Sequence, residues 1–296
     1  MFHITLDCNG RPLELDRARI AGIVNVTPDS FSDGGQFADV AAAIAHGVKL
    51  VEDGADLLDV GGESTRPGAE PVEAAEEIAR IVPVIEGLAK ATRVPISIDT
   101  SKPEVMRAAV AAGAGLVNDV RALREDGALD AAAALGVPVI VAHMLGDPRT
   151  MQDDPQYDDV VGDVHRFLTE RLFACQMAGI DKKKVLVDPG FGFGKTLQHN
   201  LLLLRDLKRF AEIAPVVAGL SRKGMIGKLT GREAHADRAA GSAAAALIAV
   251  QNGAAIVRVH DVAATRDALA VWAGVAALGA APKRKDAIKR GGWDED

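Results

Sequence analysis

Eight short apolar or β-rich runs recur along this chain, at 20–24, 57–60, 95–98, 116–117, 137–142, 185–187, 216–218 and 256–259. Between them lie Ala-rich stretches, among them 40–53, 73–89, 103–112, 160–178 and 239–252, whose apolar residues return at helical spacing. Several of these run into a glycine (Gly54, Gly113, Gly179, Gly253), the residue favoured just past a helix C-terminus. Strands that alternate with helices imply parallel βαβ units, which either close into a barrel or spread as an open doubly wound sheet. Polar residues decide between the two. An open sheet gathers its site at one switch point, whereas a barrel assembles it from the C-terminal ends of many strands. Here a polar residue or glycine follows every run: Asn25, the 61–66 segment, Asp99, Asn118 with Asp119, His143, Asp188, the 221–223 segment and His260. The expected fold is α/β, a (β/α)8 TIM barrel, preceded by a β-hairpin that turns at Asn9-Gly10.

The 296 residues suit one such barrel, commonly about 250 residues long, and no Pro/Gly/Ser-rich linker interrupts the succession. We therefore expect a single domain over 1–282, the hairpin occupying 1–16, and a flexible tail over 283–296. The tail holds a basic cluster, Lys283, Arg284, Lys285, Lys289 and Arg290, which reads as a solvated run. A formal net charge of -7 argues against a nucleic-acid partner, because a phosphate backbone would meet an unfavourable overall field. No apolar stretch reaches membrane-spanning length uninterrupted, so no membrane partner is expected. Cys8 and Cys175 are far apart and lack metal-type spacing, which suits packing residues in a reducing compartment, the cytoplasm.

The segments after the runs carry the chemistry. Asn25 to Gly35 combines hydroxyls, carboxylates and two glycines, as a mobile lid would if Asn25 ligated Mg²⁺ and backbone amides met phosphate; a plain connecting loop is the alternative. Gly61-Gly62-Glu63-Ser64-Thr65-Arg66-Pro67-Gly68 reads as a second lid, its Arg66 offering a fixed fork of donors to an anion. Asp99, Asn118 and Asp188 would converge from the third, fourth and sixth strand ends; each alone could be a helix cap. Together they suit a ligand rich in N–H donors, such as an amino-pyrimidine edge. The 188–196 segment, Asp-Pro-Gly-Phe-Gly-Phe-Gly-Lys-Thr, nearly imitates a nucleotide-binding P-loop, but Pro189 stands where that loop needs a glycine. Ser221-Arg222-Lys223 after the seventh strand and Arg258-Val-His260-Asp261 at the eighth form the strongest candidate anion site, where barrels often bind phosphate.

In these segments the chain closely resembles the dihydropteroate synthases over nearly its whole length. The matching residues lie in 25–35, 61–68, Ile98-Asp-Thr-Ser-Lys102, Asn118-Asp-Val120, His143-Met144, 188–195, 221–223 and 258–261; Leu145 departs from the Gln that often follows His-Met. The resemblance implies condensation of 7,8-dihydropterin-6-ylmethyl pyrophosphate with 4-aminobenzoate, with Mg²⁺ as cofactor, in a homodimer that sulfonamides target. It implies that Asp99, Asn118, Asp188 and Lys223 hold the pterin, with Arg258 stacked on its ring and Val120, Met144 and Gly219 completing the substrate-binding set. Asn25, Thr65, Arg66, Arg258 and His260 would surround pyrophosphate and Mg²⁺, Asn25 as the metal ligand. Thr65, Pro67, Phe193 and Ser221 would border the aminobenzoate, in a slot expected to form only when pterin pyrophosphate closes both lids over Phe31 and Pro67. Asp99, Lys223 and Arg258 would be the catalytic residues. Two other readings are a methyltetrahydrofolate:corrinoid methyltransferase, which has no pyrophosphate to bind, and a pterin-binding protein without turnover.

Overall fold

The computed structural model describes residues 4–26, 36–64, 68–147 and 150–278. A two-stranded antiparallel hairpin, β1 (Thr5–Cys8) and β2 (Arg11–Glu14), comes first. Asn9 and Gly10 both adopt positive φ, 56° and 78°, and the Gly10 amide donates to Asp7 Oδ1 at 2.7 Å, so the Asn-Gly turn works as its sequence predicts. Eight strands then close a parallel barrel in sequence order: β3 (Arg19–Asn25), β4 (Leu57–Gly61), β5 (Ile96–Asp99), β6 (Leu116–Asp119), β7 (Val139–Ala142), β8 (Val185–Asp188), β9 (Val216–Ala218) and β10 (Ala254–Val259), with β10 paired to β3. β7 begins two residues later than the apolar run suggests, because Pro138 has no amide to give the ladder and contributes only its carbonyl, which accepts from Val117 at 3.0 Å.

The helices α1 (Gln36–Glu52), α2 (Ala74–Ala91), α3 (Pro103–Ala112), α4 (Ala128–Leu135), α5 (Val160–Met177), α6 (Leu197–Arg205), α8 (Ala239–Gln251) and α9 (Val262–Leu278) alternate with the strands, and a short α7 (Gly224–Thr230) precedes α8. Strand residues of one parity, such as Val24, Val60, Ile98, Val141, Val187 and Val259, pack outward beneath these helices. The other parity fills the barrel. Ala21, Leu57, Leu116, Ile140, Leu186, Val217 and Ile256 form an apolar inner layer, and hairpin residues Leu6, Cys8 and Leu13 join it from below.

The hairpin is thus the plug of the N-terminal end, and polar bonds fix it there. Arg11 donates to the carbonyls of Val94 and Ala89 at 2.8 and 2.7 Å, and Asn9 Nδ2 donates to that of Ala114 at 3.1 Å. At Gly115 the barrel backbone packs tightly on the hairpin: a Cβ there would collide with the Cys8 backbone carbonyl. A backbone neighbour cannot swing aside as a side chain can, so Gly115→Ala should cost about 2 kcal/mol, within the usual range for overpacking. The expected outcome is a lower urea midpoint with an unchanged slope; an unshifted midpoint would show that the plug seats independently of this contact.

Candidate active site

Above the apolar layer the same inward parity turns polar. On β4, Asp59 follows Leu57 by two residues; on β5, Asp99 follows Ser97; on β10, Arg258 follows Ile256. All three therefore point into the barrel. The Arg258 guanidinium spans two carboxylates, donating through Nε to Asp59 Oδ2 and through Nη2 to Asp99 Oδ2, the latter at 2.6 Å. Asn118 Nδ2 donates to the same Asp59 oxygen at 3.2 Å. Asp59, Asp99 and Asn118 are all buried. One cation cannot neutralise two buried carboxylates. Burial therefore dominates at Asp99 and pushes its carboxyl up to about 7, with Arg258 opposing and the Asp59 charge adding to the rise. The other Asp99 oxygen, Oδ1, is buried with no hydrogen-bond partner among the described residues. An acceptor in that condition costs stability unless a ligand supplies the donor.

Asp188 closes the opposite side, and the loop after it is built around its carboxylate. Its Oδ1 accepts from the Gly190 amide at 2.7 Å, and burial raises its pKa against the opposing charges of Lys223, Lys195 and Arg258. Gly190, Gly192 and Gly194 all have positive φ, 70°, 78° and 62°, which alternates the chain direction so that Phe191 is buried and its carbonyl faces Lys223. Lys223 Nζ donates to that carbonyl and sits 4.2 Å from the centroid of the Phe193 ring. Burial lowers the Lys223 ammonium to about 8, with Asp188 opposing. Gly219 lines the gap between Asp188 and Arg258: a Cβ there would stand 3.8 Å from Asp188 Oδ2 and 3.9 Å from Arg258 Cβ.

The last two strand ends are tied together. Ser221 Oγ accepts from the His260 amide at 3.1 Å and lies 3.0 Å from His260 Nδ1. Between Ser221 and Lys223, Arg222 takes a left-handed φ of 59° and pairs bidentately with Asp261 at 2.6 and 3.0 Å. Its amide donates to Ser242 Oγ and its carbonyl accepts from Arg238 Nη1, both at 2.9 Å. The strained residue is held from every side, so its neighbours Ser221 and Lys223 keep their places.

Of the residues expected from sequence, Asp99, Asn118, Asp188, Phe193, Gly219, Ser221, Lys223, Arg258 and His260 line this end of the barrel. Val120 and Met144 are buried just beyond β6 and β7. Asn25 ends β3, half-buried, in register with Gly61, which is in register with Asp99. Thr65, Arg66, Pro67 and Phe31 lie outside the described residues, which omit 27–35 of the first expected lid and 65–67 of the second. The root of the second lid is described: Arg80 donates to the Gly62 carbonyl at 2.9 Å, and Lys102 bridges Glu63 to the buried Glu77, 2.6 Å from its Oε2. Asp119, next to Asn118, faces the other way and accepts from Ser101 Oγ and the amides of Arg121 and Leu123, so it builds a turn. Asp59 was not among the expected site residues. Its signal was present, a charge two residues from Leu57 inside a run otherwise fit for a buried strand.

Among the described residues no group of three His, Cys, Asp or Glu side chains could hold a metal. At the end of β3 the Asn25 side chain offers one amide oxygen, a hard donor of the kind Mg²⁺ takes. A cavity of 520 Å³ opens at the other end of the barrel, beside Ile4, Leu15 and Pro215, but it is mainly apolar and none of the strand-end residues reaches it. Convergent polar groups, not volume, mark the chemistry.

The sequence matches the model of the pterin binding enzymes over residues 21–260. The dihydropteroate synthase of Escherichia coli (strain K12) is 49% identical over 267 residues, covering 90% of this chain and 94% of its own. Two solved structures from Xanthomonas albilineans superpose closely. A dihydropteroate synthase with 4-aminobenzoic acid has a TM-score of 0.89 at 62% identity, covering 93% of this chain and 99% of its own. One in complex with 7,8-dihydropteroate has a TM-score of 0.85 at 60% identity, covering 92% and 99%. With an acceptor-rich pocket at the strand ends of a closed barrel and relatives this similar over nearly their full lengths, the chain belongs to the pterin-binding enzymes and, among them, to the dihydropteroate synthases.

Proposed function

We propose that the chain joins 7,8-dihydropterin-6-ylmethyl pyrophosphate to 4-aminobenzoate, forming 7,8-dihydropteroate and pyrophosphate. The observation that carries this reading is the buried Asp99 Oδ1, without a partner among the described residues, in a pocket whose carboxylates outnumber what Arg258 neutralises. Asp99, Asn118 and Asp188 offer acceptors to the N–H edge of a pterin, and Lys223, seated on Phe193, offers a donor to its oxygen side. The amine nitrogen forms its bond to the methylene carbon as the C–O bond to pyrophosphate breaks. The leaving group takes the bonding pair, and the amine gives its proton to water. Asp99 opposes positive charge developing at the methylene, while Arg258 and His260 lie on the side assigned to the pyrophosphate. A methyltetrahydrofolate:corrinoid methyltransferase has no pyrophosphate to bind, and the Asn25 segment and the cations Lys223 and Arg258 count against that reading.

The test is formation of dihydropteroate as a function of pH. The free-enzyme profile of kcat/KM should be bell-shaped. Below about 7 Asp99 gains a proton and loses its charge; above about 8 Lys223 loses its ammonium charge. Lys223→Arg should carry the basic limb out of the accessible range, because guanidinium stays protonated. A basic limb unmoved in that variant would remove Lys223 from the assignment. A protein that binds the pterin but forms no product would be the non-catalytic reading.

Mg²⁺ belongs to this proposal through Asn25, with Thr65 and Arg66 as further neighbours of the pyrophosphate. When bound, the ion would offset charge on the departing group. Asn25→Ala should raise the Mg²⁺ concentration for half-maximal activity several-fold while leaving affinity for the pterin alone unchanged; superimposable Mg²⁺ titrations would reduce Asn25 to a loop residue.

The homodimer and the cytoplasm complete the reading. Ala264, Ala268, Val271, Val275 and Leu278 recur on α9 at alternating steps of four and three, and Val271, Val275 and Leu278 are 70%, 66% and 79% exposed. A stripe of this kind suits burial against a second copy of the chain. Light scattering should give a dimer mass that Val271→Glu with Val275→Glu halves; a wild-type monomer at micromolar concentration would rule the dimer out. Both cysteines are buried and free, and among the described residues no helix is long and apolar enough to cross a membrane. Free thiols support the cytoplasm as the compartment.

A further inference from the structure

The Gly194-Lys195-Thr196 end of the P-loop look-alike finds its use inside the protein. A phosphate-binding lysine would reach toward the ligand. Lys195 is 3% exposed, and its Nζ turns back to lie 2.9 Å from His143 Nδ1, 3.0 Å from the Phe193 carbonyl and 3.4 Å from the His143 carbonyl. Three polar atoms thus face Nζ, none of them charged, and burial pulls the Lys195 pKa well below the usual lysine range, with the Asp188 charge opposing. His143 can accept through Nδ1 only as the neutral ring protonated at Nε2, and burial next to Lys195 keeps it neutral, pushing its pKa down to about 2.

The loop that Lys195 anchors is held at further points. The Tyr157 hydroxyl donates to the Gly194 carbonyl at 2.9 Å, while Asn200 accepts from the Gly192 amide at 2.7 Å and donates to the Lys195 carbonyl at 3.3 Å. His143 itself stands edge-on to Phe167, with ring centroids 4.9 Å apart. What this frame presents to the pocket is the Phe191 carbonyl and the Phe193 ring, the two groups on which Lys223 rests.

We propose that Lys195 is a positioning residue of the active site: it fastens the 188–196 loop to the end of β7, fixing Phe193 beneath Lys223, and adds a third cation, after Lys223 and Arg258, to those around the Asp188 carboxylate. This rests on the reading of Asp188 as a pterin acceptor. The charged groups facing Asp188 are Lys195 from its own loop, Lys223 from the loop after β9 and Arg258 from β10, while β7 brings only the neutral His143. Each of the three cations opposes the rise that burial imposes on the carboxyl. Removing any one leaves that rise less opposed, so Asp188 would take up its proton at a higher pH.

Calorimetry with 6-hydroxymethylpterin across pH, together with steady-state kinetics in 4-aminobenzoate, tests this. Lys195→Met and Lys195→Gln should both move the acid limb of pterin affinity to higher pH and weaken binding several-fold on the acid side of that limb, with little change above it. The methionine variant should also raise the KM for 4-aminobenzoate several-fold. Glutamine can still donate to the Phe193 carbonyl and should restore most of that loss. If the methionine variant does not fold, the glutamine variant alone decides the acid limb. An acid limb that stays at its wild-type position in a folded variant overturns the proposal, since a purely structural lysine would weaken binding without moving it. Wild-type protein that fails to bind the probe at any pH would instead overturn the pterin reading of Asp188, and the proposal with it.

Discussion

A guanidinium inside a closed barrel must be neutralised by groups arriving from other strands, and Arg258 takes its partners from β4 and β5 on the far side of β3. Buried ion pairs return little net stability, because desolvation consumes most of the attraction, but losing one partner strands the other at a cost of roughly 3–5 kcal/mol. The Arg258 bridge therefore acts less as a source of stability than as a constraint on position. It holds Asp99 through Oδ2, leaves Oδ1 buried without a partner among the described residues, and engages Asn118 through their shared partner Asp59. At the bridge itself two carboxylates share one guanidinium, so their acceptor oxygens exceed what Arg258 can satisfy.

Such a polar interior is tolerable because stability is made elsewhere. The apolar layer at Leu57, Leu116, Ile140, Leu186, Val217 and Ile256 lies directly beneath it, and the hairpin residues Leu6, Cys8 and Leu13 seal that layer from water. The hairpin's placement is consistent with the burial of Cys8, whose thiol is pushed up to about 12 chiefly by desolvation. The barrel thus divides along its axis into a lower half that folds and an upper half that binds. Adjacent inward positions on one strand serve both: Leu57 and Asp59 on β4, Ile256 and Arg258 on β10.

Most of this frame was legible in the sequence because parallel strands read as apolar runs and each ended on a polar residue. The hairpin was legible from Asn9-Gly10 alone, since that turn needs two residues at positive φ. Its role as a plug was not, because no local pattern says which surface a hairpin covers. Asp59 escaped notice because it lies inside a run, where a charge looks like an interruption; counting parity from Leu57 would have turned it inward. The opposite assignments of Asn118 and Asp119 follow from the same count. Lys195 was beyond reach, because the lysine of a Gly-Lys-Thr sequence points outward or inward according to its acceptors, and His143 comes from another strand.

The two cations of the pocket are not interchangeable, and the difference lies in what each is paired with. Arg258 sits between two carboxylates, which hold it firmly protonated, so its charge does not vary over any accessible pH. Lys223 has a backbone carbonyl and an aromatic face as its immediate partners, neither of which carries a charge to hold the proton, and burial brings it down to about 8. Across the cavity Asp99 is raised to about 7. A carboxyl pushed up and an ammonium pushed down thus share one pocket, each moved toward neutrality by the same loss of water. A pterin whose N–H edge meets Asp99 and whose oxygen side meets Lys223 would supply the missing partner to both. Ligand binding would then draw the two pKa values apart, fixing the charged forms that the free protein holds only loosely.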